Sequence, residues 1–241
     1  MAVLFISDLH LEADRPEVVD LFADFVALEA GAADALYILG DLFEAWIGDD
    51  DTDDSIDKVV ATLAQLTARG VDCHLMHGNR DFLIGERFAA KTGCRLLGDY
   101  ETIDVYGTPL LLTHGDLLCT DDTAYMDLRS TVRDPEWQSA FLHKPLNERR
   151  KIAADLRATS RAEIAAKPTA IMDVNESTVG ETMQRFGVRH LLHGHTHRPG
   201  VHEFRLDGRE AARIVLGDWH EAGSLVRWTE QGFALESFPA G

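Results

Sequence analysis

The sequence predicts an α/β fold built from two β-sheets, with helices on their outer faces and one helical insertion. Three observations predict this fold. Over the first eighty residues, apolar runs alternate with helical spacing, which is typical of a parallel sheet with crossover helices. Strand patterns are missing from about residue 121 to 186, and short alternating strands return after residue 188. The 241 residues are therefore predicted to form a single domain, 1–241, with a helical cap at about 121–186.

The N-terminal part is predicted as strand, helix, strand, helix, strand. Mainly apolar runs at residues 2–7 and 35–39 are typical of buried strands, and residues 73–77 are predicted as the third strand. Apolar residues with helical spacing predict helices over residues 16–30 and 56–68. Each of the three strands ends in polar residues, and open α/β sheets bind their ligands at the carboxyl ends of strands. We therefore expect a functional site at this edge of the sheet.

The C-terminal part is predicted to be rich in short strands. A hairpin is expected at residues 103–105 and 109–113, around Tyr106 and Gly107, and it leads into His114. After the helical stretch, alternation of apolar and polar residues predicts five further strands, at 188–192, 201–205, 212–216, 224–228 and 233–238.

Charge and composition exclude several classes of protein. The net charge of -18 argues against broad binding of nucleic acid, which requires a basic surface, so no nucleic-acid partner is expected. No apolar run is long enough to cross a bilayer, and the first residues become acidic where a signal peptide would be cleaved. Three scattered cysteines predict reduced, packed thiols rather than a disulfide framework. These observations favour a cytosolic protein.

Five short polar blocks stand at the predicted strand ends, and together they predict a metal centre. They offer two carboxylates, one carboxamide oxygen and four imidazoles, a mixture that suits divalent ions such as Mn²⁺, Fe²⁺ or Zn²⁺. Seven side chains are too many for one tetrahedral site but suit two neighbouring ions that share a bridging carboxylate. The seven predicted ligands are Asp8, His10, Asp41, Asn79, His114, His195 and His197.

Each block alone is weak evidence, because Asp-x-His triplets and Gly-Asn turns are common in loops. The order of all five blocks, D-x-H, G-D, G-N-x-D, H-G and G-H-x-H, resembles the calcineurin-like metallophosphoesterase superfamily. The resemblance implies a two-sheet sandwich flanked by helices (αββα). It also implies that one ion is held by Asp8, His10, Asp41 and His197. The other would be held by Asp41, Asn79, His114 and His195, with Asp41 bridging.

One position departs from the commonest superfamily pattern. Where many members have a histidine after the asparagine, this chain has Arg80. Arginine cannot act as a general acid near neutral pH, but its planar guanidinium binds phosphate oxygens well. We therefore expect Arg80 to stabilise charge in the transition state. The catalytic residues implied in this way are Asp41, Asn79, Arg80 and His195.

Longer stretches narrow the resemblance. ALYILGDLFEAWIGDDD, HGNRDFL, HGDLLCTDD, AIMDVN and LLHGHTHRP are similar to the UDP-2,3-diacylglucosamine hydrolase family of lipid A biosynthesis, over about residues 4–219. This similarity implies an enzyme that hydrolyses the pyrophosphate of UDP-2,3-diacylglucosamine by water attack at the α-phosphorus. The products would be UMP and 2,3-diacylglucosamine 1-phosphate. It also implies two divalent metal ions, with Mn²⁺ expected. The location implied is peripheral, on the cytoplasmic face of the inner membrane.

The predicted cap has a composition that fits a lipid substrate. Between Arg129 and Lys167 it carries nine basic and five acidic residues, a net charge of +4 in a chain of -18, interleaved with apolar side chains. Such a segment could receive acyl chains and lie against anionic headgroups. The alternative is an ordinary amphipathic cap with a solvated basic face.

Substrate contacts implied by the resemblance lie in the core and in the cap. They are Asn79, Arg80, Asp122, Ser160, Lys167 and His195. For Asp122 the alternative is a helix N-cap before Tyr125. Ser160 and Lys167 are seven residues apart and share one face of an unbroken helix. Ile164 stands where the family pattern often has asparagine, so one polar contact is expected to be missing or replaced.

Three residues near these blocks are given structural interpretations. Trp46 is expected to pack at the rim of the site, with a wall for the substrate as the alternative. Asp81 is expected to orient Arg80 or a loop amide rather than bind metal. His193 is expected to end its strand on the face opposite to Leu192.

Two other functions remain open from the sequence. One is a phosphodiesterase or nucleotide pyrophosphatase with a soluble substrate, which would need the same seven ligands but no basic, aliphatic cap. The other is a non-catalytic scaffold with a decayed site, which is disfavoured because all seven predicted ligands are present. Metal content and turnover of an aryl phosphodiester separate these classes.

Overall fold

The computed structural model describes residues 2–51, 53–166, 173–220 and 222–239, with only the backbone described at 54, 160–166 and 239. Within these residues the chain forms eleven strands and seven α-helices. The first part contains β1 (Val3–Ile6), α1 (Pro16–Leu28), β2 (Ala35–Leu39), α2 (Asp54–Ala68), β3 (Asp72–Met76), α3 (Glu86–Thr92), β4 (Arg95–Leu97), β5 (Glu101–Val105) and β6 (Thr108–Leu112). The second part contains α4 (Thr123–Val132), α5 (Pro135–Leu142), α6 (Leu146–Ala166), α7 (Glu176–Phe186), β7 (His190–His193), β8 (Gly200–Leu206), β9 (Arg209–Val215), β10 (Ala222–Thr229) and β11 (Gly232–Pro239).

These strands form two sheets. The first has the order β11-β10-β1-β2-β3-β4, and its strands β1 to β4 are parallel while β10 and β11 are antiparallel. The second has the order β5-β6-β7-β9-β8, with β6, β7 and β9 parallel. The predicted α/β fold with two sheets and outer helices is therefore confirmed.

Alternation along the strands separates two apolar layers. Phe5 and Leu39 of the first sheet share a buried cluster with Leu192 and Ile214 of the second, so this cluster fills the space between the sheets. The residues on either side of Phe5 point the other way and join the core beneath α1 and α2. Because successive strand residues point to opposite faces, both faces of the first sheet are covered.

Parallel strands bring their carboxyl ends to a common edge. In the first sheet β1, β2 and β3 end at this edge, and in the second β6 and β7 do the same. Asp8 N donates a hydrogen bond to Gly40 O at 3.1 Å, and Gly194 N donates to His114 O at 2.9 Å. The loops that carry the predicted ligands therefore lie side by side.

The helices α4 to α7 lie between β6 and β7 in the chain, in the stretch for which the sequence predicts no strand. Phe141 of α5 is 4% exposed and joins the core cluster beneath α1 and α2, and Leu146 and Ile152 of α6 pack against the same cluster. These contacts hold the cap helices on the first sheet, next to the strand ends.

Two elements are absent from the sequence prediction, the helix α3 and the short strand β4. The helix has only seven residues and no side-chain hydrogen bond at its N-cap, Gly85, so it shows neither periodicity nor a capping signal. The strand has three residues and alternates too briefly to be recognised.

None of the described helices is long and apolar enough to cross a membrane.

Candidate metal centre and substrate cleft

All seven predicted ligands come together at the common strand edge. Asp8, His10 and His197 form one group: His197 Nε2 lies 3.3 Å from Asp8 Oδ1 and 3.3 Å from His10 Nε2. Asp8, Asp41 and His114 form a second group of possible ligands, all buried. Asp8 is therefore common to both groups, while Asp41 belongs to the second.

The geometry around Asp41 suits a bridging carboxylate. Its Oδ1 accepts a hydrogen bond from Arg80 N at 2.8 Å, which fixes the carboxylate plane. Its Oδ2 lies 4.0 Å from His10 Nε2 and 3.8 Å from His114 Nε2. One oxygen therefore faces imidazoles of both predicted ion sites at nearly equal distances.

Asn79 completes the second predicted site. Its Oδ1 lies 2.9 Å from His114 Nε2 and 2.8 Å from His195 Nδ1. These three atoms converge from the ends of β3, β6 and β7. A carboxamide oxygen and two imidazole nitrogens at one point are ordinary donors for a divalent ion.

The backbone at these positions is unusual. Seven non-glycine residues of the described chain have positive φ, and five of them are predicted ligands: Asp8, His10, Asp41, His195 and His197. Non-glycine residues adopt this conformation rarely, and strained backbone concentrates at functional sites. Two glycines allow the close approach, because a Cβ on Gly78 would lie 2.0 Å from Asp41 Oδ1 and a Cβ on Gly194 would lie 2.1 Å from Asp8 Oδ2.

Hydrogen-bond partners behind the imidazoles aim their other nitrogens at the centre. His114 Nδ1 lies 2.8 Å from Leu39 O and donates to this carbonyl, so the ring turns Nε2 towards the centre. His10 Nδ1 lies 3.0 Å from Glu44 Oε2, and His197 Nδ1 lies 3.1 Å from Asp218 Oδ2. Metal-binding histidines usually have such outer partners, which set the tautomer and the ring orientation.

Glu44 and Asp218 are functional residues that the sequence analysis missed. Glu44 lies three residues after Asp41, inside one of the quoted motif stretches, but only the fold turns it towards His10. Asp218 follows Gly217, and this Gly-Asp pair repeats the Gly40-Asp41 pattern of a ligand block. That repetition is the signal that could have found it.

Asp8 tests whether a cation fits the centre. Its Oδ2 accepts hydrogen bonds from Ser7 Oγ at 2.6 Å and from His195 N at 2.9 Å. Its Oδ1 is buried and accepts no hydrogen bond from the described residues. A buried carboxylate oxygen without a partner is costly, and a divalent ion would satisfy it. The donors present therefore fit divalent metal ions, as the family's chemistry requires.

Burial and neighbouring charges shift the pKa values of the predicted metal ligands, and the direction of the shift differs from residue to residue. Burial raises the pKa of Asp41 to about 6, although the charges of His114 and His10 lower it. Burial lowers the pKa of His195 to about 4. For His197, burial lowers the pKa, but the carboxylates of Asp218 and Asp8 outweigh it and raise the value to about 10. A proton therefore occupies His197 near neutral pH until a metal ion displaces it.

An open cleft lies beside the centre. Asn79 and Arg80 line it on the side of the metal centre. The rest of its wall comes from the loops after β2 and β3 and from α4, α5 and α6, and most of these residues are apolar: Trp46, Ile47, Phe82, Leu83, Leu128, Val132, Trp137, Phe141, Ala153 and Leu156. The arginines Arg129, Arg133 and Arg157 also line it. The cleft therefore combines a long apolar surface with positive charge near the strand ends.

A buried ion pair attaches α4 to the core beside this cleft. Asp116, which is 2% exposed, accepts hydrogen bonds from Tyr125 OH at 2.6 Å and from Arg129 Nε at 2.7 Å. Arg129 also donates to Asp99 at 2.9 Å, and Arg133 donates to Gly78 O at 2.8 Å. The sequence analysis gave no role to Asp116, although it directly follows the His-Gly block.

The predicted cap contacts have different positions. Asp122 caps α4, because its Oδ1 accepts a hydrogen bond from Tyr125 N at 3.1 Å, and it is not among the residues that line the cleft. Ser160 belongs to α6, but its side chain lies outside the described residues. Lys167 and the Ile164 side chain also lie outside them.

The three structural interpretations from the sequence agree with the geometry. Trp46 is buried against Phe43 and Phe88 and also lines the cleft. Asp81 accepts hydrogen bonds from the loop amides of Leu42 and Gly78, both at 2.8 Å. His193 is buried on the far side of its strand from the intersheet layer, with its Nε2 3.1 Å from Arg213 Nη1.

Comparisons with known proteins agree with this geometry. The family model for calcineurin-like phosphoesterases matches residues 1–199. The UDP-2,3-diacylglucosamine hydrolase of Enterobacter sp. (strain 638) is 50% identical over 239 residues, covering 99% of this chain and all of the relative. The enzyme of that name from Salmonella arizonae is 51% identical over the same shares. Among solved structures, an archaeal phosphodiesterase has a TM-score of 0.50 and 11% identity, covers 99% of this chain and 100% of that chain, and indicates the fold alone.

Proposed function

This chain belongs to the calcineurin-like phosphoesterase family, and we propose that it hydrolyses the pyrophosphate bond of UDP-2,3-diacylglucosamine in lipid A biosynthesis. Water attacks the α-phosphorus, and the products are UMP and 2,3-diacylglucosamine 1-phosphate. The observation that carries this proposal is the junction of the metal centre with an apolar cleft lined by arginines. A substrate with a pyrophosphate and two acyl chains needs both features side by side.

The proposed site holds two divalent ions, and we take Mn²⁺ as the metal. Asp8, His10, Asp41 and His197 hold one ion, and Asp41, Asn79, His114 and His195 hold the other. Bound in this way, the ions would neutralise phosphate oxygens and lower the pKa of a water molecule. The chain's own contribution is a fixed set of donors, because hydrogen bonds to Glu44, Leu39 and Asp218 orient the rings in advance.

Arg80 and His195 act on the phosphate groups in this proposal. Arg80 lines the cleft next to Asn79, so its guanidinium is placed to bind the phosphate that leaves with the lipid. His195 has a pKa lowered to about 4 by burial and is neutral at pH 7. If Nδ1, which lies 2.8 Å from Asn79 Oδ1, were to bind the proposed ion, the proton of neutral His195 would be on Nε2, where it could be donated in a hydrogen bond to phosphate.

The cap supplies the remaining proposed contacts. The apolar wall of the cleft receives the acyl chains, and the arginines lie near the phosphates and the sugar. From the family resemblance we propose that Asp122, Ser160 and Lys167 contact the glucosamine unit. Asp122 lies at the N-cap of α4, where its Oδ1 accepts the hydrogen bond from Tyr125 N.

We propose that the cap also meets the cytoplasmic face of the inner membrane. Leu128 and Leu142 are 39% and 40% exposed on the cap, which has a net charge of +4 between Arg129 and Lys167. Apolar side chains among basic ones are typical of peripheral contact with anionic lipid. The substrate would reach the cleft from this surface.

A soluble phosphodiester is the second candidate substrate. The metal centre alone would suit it, since the seven ligands do not depend on the leaving group. The apolar cleft beside Arg80 favours the lipid, because a soluble nucleotide would leave this wall in contact with water.

Hydrolysis after metal removal tests the proposal. Metal-stripped protein is incubated with UDP-2,3-diacylglucosamine with and without Mn²⁺, and UMP release is followed. We expect release only with Mn²⁺, and none from the Asp41→Ala variant, which should also bind less metal. Turnover of an aryl phosphodiester without any UMP release would support a catalytic metal centre but would contradict the assignment of the lipid as substrate.

A further inference from the structure

The buried arginine Arg149 connects the cap to the core. Its side chain is 2% exposed, although arginine is seldom fully buried. The guanidinium donates to Ile47 O at 2.5 Å and to Asp50 Oδ1 at 2.8 Å, and its second terminal nitrogen donates to Asp50 Oδ2. Its Nε donates to Lys144 O at 3.0 Å. One side chain therefore joins the first turn of α6 to the loop between β2 and α2.

The loop is shaped around this guanidinium. Gly48 has φ of +131°, and a Cβ at this position would lie 2.4 Å from Arg149 Nη1 and 2.9 Å from Asp50 Oδ1. A side chain here would be strained and would also displace the arginine. The close approach of loop and guanidinium thus depends on glycine at this position.

Both segments joined by Arg149 form walls of the cleft. Trp46 and Ile47 line it from the loop. Helix α6 lines it with residues four, seven and eight positions after Arg149, which lie on one face of the helix. These residues are Ala153, Leu156 and Arg157. A contact at the first turn of α6 therefore sets the distance and register between the two walls.

The neighbouring ion pair provides a contrast. Arg150 pairs with Asp51 from the same turn of α6 to the same loop, but its side chain is 57% exposed. It is not among the cleft-lining residues. Exposed pairs of this kind contribute little to stability, whereas the planar guanidinium of Arg149 is enclosed and bonded to both segments. The two arginines thus differ in burial while sharing helix, loop and charge.

We infer that Arg149 is a positioning residue for the lipid substrate: by clamping α6 to the loop at Ile47 and Asp50, it holds the cleft at the width that accepts acyl chains. The inference rests on the proposed function. Arg149 does not touch the metal ligands, so it acts on substrate binding and not on the chemistry at the strand ends.

The test compares Arg149→Ala and Asp50→Asn with the matched control Arg150→Ala. For each variant, KM and kcat for UDP-2,3-diacylglucosamine and the bound Mn²⁺ are measured. We expect both clamp variants to raise KM about tenfold, since small displacements of a binding wall weaken positioning strongly. We expect kcat and bound Mn²⁺ to stay within about twofold of wild type, and the control to be unchanged.

Other results would overturn the inference. An unchanged KM in both clamp variants would do so, as would a fall in kcat without a rise in KM, or an equal rise in KM for Arg150→Ala. If Arg149→Ala does not fold, Asp50→Asn decides, because Asp50 is 46% exposed and its replacement by asparagine keeps the side-chain volume.

Failure of the proposed function has a separate signature. Wild-type protein that leaves the lipid uncleaved would reject that function, and amide hydrogen exchange then tests the clamp. Arg149→Ala should speed exchange at residues 44–51 and 146–157 by about tenfold or more over Arg150→Ala, because local opening sets exchange rates. Equal amide exchange rates in the two variants would contradict the proposal that Arg149 clamps α6 to the loop.

Discussion

At the scale of single residues, the proposed chemistry depends on side chains that have two polar atoms. One atom contacts a neighbouring group of the protein, and the other faces the metal centre. In Asp8 and in Asp41, one carboxylate oxygen accepts a hydrogen bond from a backbone amide, and the other oxygen faces the histidines. His114 and His197 each use Nδ1 for an outer partner. Because these hydrogen bonds orient the donors before any ion binds, the centre is pre-organised.

The outer carboxylate Asp218 provides a residue-scale prediction. In Asp218→Asn, His197 loses the charge that orients its ring and raises its basicity. We expect Mn²⁺ to bind about 10–100-fold more weakly, measured by calorimetry, with the fold retained. The control is Asp20→Asn, which removes an exposed carboxylate paired with Lys58. Unchanged Mn²⁺ affinity would contradict the proposed role of Asp218 in orienting His197.

Arg80 provides a prediction in which turnover and metal binding separate. Arg80→Ala should slow turnover by about 10²–10³-fold, because a group that stabilises transition-state charge is lost. Bound Mn²⁺ should not change, since only the backbone amide of Arg80 contacts Asp41. Arg80→Lys is the matched control and should recover part of the rate, because it keeps the charge but not the planar fork. Loss of metal from Arg80→Ala would mean that Arg80 supports the site itself.

The pKa of His197 predicts how metal affinity depends on pH. The carboxylates of Asp218 and Asp8 overcome burial and raise this pKa to about 10, so the metal-free protein holds the proton from neutral pH up to that value. Mn²⁺ must displace it. The apparent affinity should therefore rise about tenfold per pH unit from 7 to 8 for each proton released. Calorimetry in buffers of different ionisation enthalpy counts the protons, and binding without proton release would contradict the assignment.

At the scale of elements, most strands and helices follow from apolar periodicity. The predicted strand at 35–39 has the observed bounds of β2, and the helix predicted at 56–68 ends with α2 at Ala68. The boundaries elsewhere shift by one to three residues, and the largest shift is at the start of β9, which begins at Arg209 instead of the predicted 212. The helix α3 and the strand β4 escape prediction because neither is long enough to show a period.

The attachment of α4 gives an element-scale prediction. Asp116 is buried and bonded to both Tyr125 and Arg129. Asp116→Asn leaves Arg129 without its enclosed counter-charge, so we expect the free energy of unfolding to fall by about 3 kcal/mol in urea titrations. The control Asp99→Asn removes a carboxylate that is 44% exposed and should cost less than about 1 kcal/mol. Equal losses in the two variants would contradict a specific role for the buried pair.

At the scale of the whole molecule, the two sheets meet so that five strand ends supply one centre. The sequence predicts that the ligands follow strands, but it does not predict which strands pair. β10 joins β1, more than two hundred residues away in the chain, and alternation along a strand indicates its faces but not its neighbours. The predicted ligands could be named because their order along the chain resembles a known superfamily. The contacts of Glu44 and Asp218 with the histidines and the shape of the cleft depend on that pairing, so they are visible only in the structure.

The overall charge adds a constraint at the same scale. A chain of -18 repels a pyrophosphate over most of its surface, so binding depends on local positive charge. Arg80, Arg157 and the proposed ions would provide it at the junction of metal centre and cap, whereas Arg129 is paired with Asp116 and Asp99. This local positive charge would allow the pyrophosphate of the lipid substrate to bind beside the metal centre.

The position of the new oxygen atom tests the central claim most directly. Mn²⁺-loaded protein hydrolyses UDP-2,3-diacylglucosamine in H₂¹⁸O, and both products are analysed by mass spectrometry. Attack of water at the α-phosphorus predicts one ¹⁸O in UMP and none in 2,3-diacylglucosamine 1-phosphate. Label in the lipid phosphate would place the attack on the other phosphorus, and the absence of either product would contradict the proposed reaction altogether.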